Sequence, residues 1–166
     1  MSMHTDIRIS FSLVKYTPSE VHKVLGYMLR GDHDQKGMTF ADQQELNALL
    51  DSVPNCGGGH RIHHMLCSGE DLVTGGQPVT AHSYDEAHEK WHFTIVRSIK
   101  NYAKEWQTFI KWIAPYVDSE IGVCKGDYLV LGTMFYEEWD YPKLILVKDG
   151  EVKYQWITVR EEDFCD

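Results

Sequence analysis

The residues most able to do chemistry in this chain are concentrated in one short run, Cys56-Gly57-Gly58-Gly59-His60-Arg61-Ile62-His63-His64-Met65-Leu66-Cys67. Its thiols and imidazoles, Cys56, His60, His63, His64 and Cys67, are the ligand types that a borderline-soft ion such as zinc takes in tetrahedral sets. On a helix, His60, His63, His64 and Cys67 would share one face. On a strand the set would split, His60 and His64 to one side and His63 and Cys67 to the other. The paired Cys-x-x-Cys spacing of many zinc sites is absent. The competing reading is a strand beside a glycine turn whose histidines are half-exposed. Structural zinc is therefore an alternative here, and the leading expectation is a chain without a cofactor.

A second pattern is His88-Glu89-Lys90-Trp91-His92. On a helix it would place two imidazoles one turn apart, with Glu89 able to polarise a metal-bound water. These five residues, and only these, resemble the motif of the zincin metalloproteases. The resemblance implies a zinc-dependent hydrolase with His88 and His92 as ligands and Glu89 as general base. Lys90 departs from the uncharged residues usual at that place, and no third ligand follows at a zincin-like spacing. Other catalytic signals are missing: there is no G-x-S-x-G and no G-x-x-x-x-G-K-[ST].

The third cluster is Tyr136-Glu137-Glu138-Trp139-Asp140-Tyr141-Pro142, three acids interleaved with three aromatics. Aromatic rings supply contact area and carboxylates supply complementarity to a basic surface. Glu137, Glu138, Trp139, Asp140 and Tyr141 are the expected partner-binding residues. The alternative is a solvated loop whose rings cap the core.

These clusters must be held by elements that the pattern also predicts. Ile7, Ile9, Phe11 and Leu13 alternate with polar residues, as in a half-buried strand. Thr17-Pro18-Ser19-Glu20 reads as a helix start, with Thr17 as cap, followed by an apolar face of Val21, Val24, Leu25, Met28 and Leu29. Thr39 caps a second helix over about residues 40–50. Residues 69–82 read as a loop. From Tyr84 to Ala114 there is neither Gly nor Pro. One long helix would fit, but the usual helix is about 11–12 residues. A strand through the β-branched Thr94-Ile95-Val96, then a helix capped by Asn101, is the better reading. Tyr128–Tyr136 and Leu144–Val147 read as strands, and Asp149-Gly150 turns into a third over Val152–Val159. The whole suggests one α+β domain over residues 1–166, two-layered, with a mainly antiparallel sheet and helices packed on one face.

Charge narrows the partner classes. The formal net charge is −9, and residues 118–166 alone carry 12 acidic and 5 basic side chains, a net of −7. Such a chain has no general attraction for phosphate backbones or anionic lipid, so neither nucleic acid nor a membrane is expected as partner. A basic protein is. No stretch approaches the ~20 apolar residues of a membrane span. The start Met1–Asp6 lacks a basic segment followed by an apolar run. The chain is accordingly read as cytoplasmic, with Cys56, Cys67, Cys124 and Cys165 as free thiols. The function expected from these features is a small acidic binding protein without catalytic activity, of the inhibitor, immunity or adaptor kind, acting through protein–protein contact.

Overall fold

The computed structural model describes residues 4–30, 39–51, 65–66, 79–101, 103–120 and 122–158. Its elements in chain order are β1 (Thr5–Ser12), α1 (Ser19–Arg30), α2 (Phe40–Asp51), β2 (Val79–Asp85), β3 (Lys90–Ile99), α3 (Glu105–Ile113), a 3-10 turn (Ala114–Tyr116), β4 (Cys124–Lys125), β5 (Tyr128–Tyr136), β6 (Lys143–Lys148) and β7 (Glu151–Trp156). The strands form an open antiparallel sheet in the order β2-β3-β1-β5-β6-β7, with the short β4 on β5. The α+β architecture read from the sequence is the one found.

Alternation places the core. Ile7, Ile9 and Phe11 of β1 are buried, whereas Asp6, Arg8 and Ser10 between them are exposed. The buried face meets Val24, Leu25 and Met28 of α1, Leu46 and Leu49 of α2, and Trp106, Phe109, Ile110 and Ile113 of α3 in one apolar cluster. Phe93, Ile95, Met134, Ile145 and Val147 extend that cluster across β3, β5 and β6. Fully burying each such side chain contributes roughly 1.5–3 kcal/mol, which is what holds the described helices to one face.

Local signals mostly act as their chemistry requires. The Thr39 hydroxyl accepts the Asp42 N–H (3.3 Å) and the Asp42 carboxylate accepts the Thr39 N–H (2.7 Å), a reciprocal cap at the start of α2. Lys23 of α1 pairs with the same carboxylate at 3.0 Å and ties the two helices together. Asn101 Oδ1 accepts the Trp106 N–H at 2.9 Å, so it serves the first turn of α3 as expected. It does so from three residues before Lys104, the residue at the head of the helix. Asp149 and Gly150 both have positive φ, 50° and 77°, as a two-residue hairpin turn requires.

Two expectations need correction. Thr17 does not cap α1; its hydroxyl donates to the Val14 carbonyl at 2.7 Å and closes the turn before the helix. Part of the stretch read as a loop, residues 79–82, belongs to β2, which pairs along β3 from Val79↔Val96 to Asp85↔Lys90. An edge strand with exposed side chains shows little apolar alternation, and Ala81, His82 and Ser83 are all exposed.

The join between β1 and β5 depends on Gly132. It pairs with Ile9 on one side and Ile145 on the other, beside a bulge in β5. Its φ is +150°, and a Cβ there would be driven into the Arg8 carbonyl and to 2.9 Å from the Ile9 Cα. Backbone on backbone cannot yield as a flexible side chain can. Gly132→Ala is therefore expected to destabilise the protein by about 3 kcal/mol or more, from left-handed strain and overpacking together. Urea denaturation measures this; an unchanged midpoint would show that the strands are not so closely joined.

Candidate functional site

The His88–His92 pattern folds as a hairpin. Asp85 ends β2, and its Oδ1 accepts the backbone N–H groups of Ala87 (2.9 Å) and His88 (3.2 Å). Its Oδ2 lies 2.7 Å from His88 Nδ1. Glu89 sits in the turn at φ 53° with its carboxylate bonded to Lys15. His92 lies on β3 opposite Ser12, with Nδ1 at 2.6 Å from the serine Oγ. The two imidazoles therefore do not share a helical face, and Glu89 is engaged by a lysine. The helix that a metalloprotease arrangement needs is replaced by a turn that the Asp85 carboxylate closes. Among the described residues, no three His, Cys, Asp or Glu side chains are placed to hold a metal ion. The other metal candidates, Cys56, His60, His63, His64 and Cys67, lie outside the described residues.

The same hairpin makes an alignment that sequence inspection does not reveal. His92 Nε2 is 3.7 Å from Asp85 Oδ2, so Ser12, His92 and Asp85 form a chain of hydroxyl, imidazole and carboxylate. Nucleophilic use of such a chain needs a hydroxyl that substrate can reach. Ser12 is only 4% exposed. Its carbonyl accepts the N–H of Asp118, whose carboxylate pairs with Lys90. These contacts fasten the end of β1 to β3 and to the segment after α3, which is a structural role.

The acid–aromatic loop is organised differently. Glu137, Glu138, Asp140 and Tyr141 are exposed, whereas Trp139 is half-buried and packs against the apolar cluster. The Trp139 ring meets Trp156 edge-on at 5.1 Å and Tyr136 at 5.8 Å between centroids. Lys143 Nζ lies 4.2 Å from the Trp139 ring centre and 4.0 Å from that of Trp156, a cation held between two indole faces. The Trp139 N–H donates to the Tyr136 carbonyl (2.8 Å), and the Ile157 N–H donates to Pro142 (2.9 Å). Trp139 thus ties the loop to the core. Trp156 is 46% exposed and joins the surface from β7, a contribution that only cross-strand pairing with Lys143 reveals.

Behind the loop lies a cleft of about 290 Å³ lined by Thr5, Asn101, Lys104, Gln107, Met134, Tyr136 and Trp139. Four parts of the fold build it: the start of β1, the β3–α3 connection with α3 itself, the end of β5, and the loop. Lys104 heads α3 in the left-handed conformation, at φ 59°. Comparison with known proteins finds no matching family model, no similar curated protein and no similar solved structure.

Two predictions follow from this geometry. Trp139→Ala is expected to lower stability by about 2 kcal/mol, roughly half the cost for a fully buried tryptophan. Thermal or urea unfolding checks it, and a loss under ~0.5 kcal/mol would mean the ring is not anchored. The Asp85 carboxyl is held down to about 2, first by its side-chain bond with His88 and then by the His88 N–H, against desolvation. A carboxyl depressed on folding stabilises fully above its unfolded value near 4 and loses that contribution as pH falls through about 2. A carboxyl-carbon NMR titration should place the Asp85 midpoint near 2. In Asp85→Asn, the acid-induced loss of stability across that interval should be smaller. A midpoint near 4 would contradict the hairpin geometry.

Proposed function

We propose that this chain is a non-catalytic binding protein that docks a basic protein partner on the acid–aromatic end of its sheet. Glu137, Glu138 and Asp140 supply the charge. Tyr141 and Trp156 supply the reachable aromatic surface, and Trp139 supplies the rigid floor beneath them. The observation that carries the reading is the clamping of Trp139 by Tyr136, Trp156 and Lys143. A loop that is already ordered avoids most of the cost of fixing side chains on association. The net charge of −7 over residues 118–166 supports attraction of a basic surface from a distance.

Attraction of this kind acts mainly on the rate of encounter and is screened over about 10 Å at 0.1 M salt. With the partner recovered from a host lysate, association and dissociation can be measured against ionic strength. Replacing Glu137, Glu138 and Asp140 together by Ala is expected to slow association about tenfold or more at low salt and to flatten its salt dependence. Tyr141→Ala should instead accelerate dissociation, with a loss of about 2 kcal/mol if the ring is central to the contact. Unchanged rates in both variants, or association that quickens with added salt, would refute docking at this surface.

A further inference from the structure

We infer that the cleft at the head of α3 is a binding site for a small apolar carboxylate, which shares the Tyr136–Trp139 wall with the partner surface proposed above but does not rest on that reading. Its walls and its polar groups point to different halves of one ligand. Tyr136, Trp139 and Met134 form an apolar wall. At about 30 Å³ per water, the cleft volume corresponds to roughly ten waters, the scale of one ring with a short chain.

The polar side is rich in donors. Asn101 Oδ1 accepts the Trp106 N–H, which fixes the orientation of that amide and turns its NH₂ to Gln107 Oε1 at 2.9 Å. Both amide oxygens are thereby engaged. The Gln107 NH₂ meets only the weak acceptor Met134 Sδ at 3.7 Å. Asn101 and Gln107, which line the cleft beside Lys104, therefore keep N–H groups to spare. Among the described residues no carboxylate pairs with that ammonium group, and no acidic side chain lines the cleft. A site offering one cation, several N–H donors and no carboxylate selects an anionic head, and a flat carboxylate can take several of these bonds together. Lys104 also holds a left-handed backbone conformation, φ 59°, that glycine would adopt more readily.

A carboxylate with an apolar body can be a free small acid or the C-terminus of a peptide. The probes are 3-phenylpropionate, its neutral amide, and an acetylated tetrapeptide ending in phenylalanine. Binding is followed through the side-chain amide signals of Asn101 and Gln107 in ¹H–¹⁵N NMR. The expected result is saturable binding of 3-phenylpropionate, at least about tenfold tighter than its amide, as a charge-assisted bond gives over a neutral one. Lys104→Gln should bring acid and amide within about twofold, and Lys104→Arg should keep the preference. Tighter binding of the tetrapeptide than of the free acid would identify a peptide terminus as the source of the carboxylate; the reverse order would identify a small molecule. Equal affinity for acid and amide, no binding of the acid, or a preference that survives in Lys104→Gln would each overturn the assignment.

Discussion

The cleft and the acid–aromatic loop depend on β1, which among the described residues is the only strand that joins the two halves of the sheet. The β2–β3 hairpin pairs with one edge of β1, and the β5–β6–β7 meander reaches the other edge through β5. Gly132 permits the second join, because its missing side chain lets β5 lie against the Arg8 carbonyl. Both joins run out at Thr5, which pairs with Ile99 on one side and Tyr136 on the other. The chain leaves β3 there toward Asn101 and Lys104, and leaves β5 there toward Trp139. The cleft and the acid–aromatic loop are thus consequences of where the central strand begins.

That geometry explains what the sequence could and could not reveal. Features set by neighbours in the chain were legible: the period of two through Ile7, Ile9 and Phe11, the cap at Thr39, and the hairpin turn at Asp149-Gly150. The split of the Gly- and Pro-free stretch into β3 and α3 was legible too, because β-branched Thr94-Ile95-Val96 resists helix. Features set by long-range pairing were not. Ser12 and His92 are 80 positions apart and meet only because β1 and β3 pair in register. The cleft draws on four segments, so no local pattern announces it. The His88–His92 spacing suggested helical chemistry because spacing alone does not carry φ. Glu89 at positive φ and the Asp85 side chain decide for a turn.

The acid–aromatic loop lies between these cases. Its composition was readable, but not the division of labour within it. The ring most readily taken for an exposed anchor, Trp139, is half-buried and holds Lys143 against Trp156. Lys143, on the strand that follows the loop, is turned onto the indole faces of Trp139 and Trp156. The acids thus stand on a prefolded loop that the half-buried Trp139 fixes to the sheet.

The most direct test of this account is the footprint of a basic partner on the intact protein, read by backbone amide hydrogen exchange with and without the partner bound. The account predicts slowed exchange over residues 136–142 and around Trp156, with the β2–β3 turn at residues 86–89 unchanged. Protection centred on that turn, with residues 136–142 exchanging as in the free protein, would contradict it.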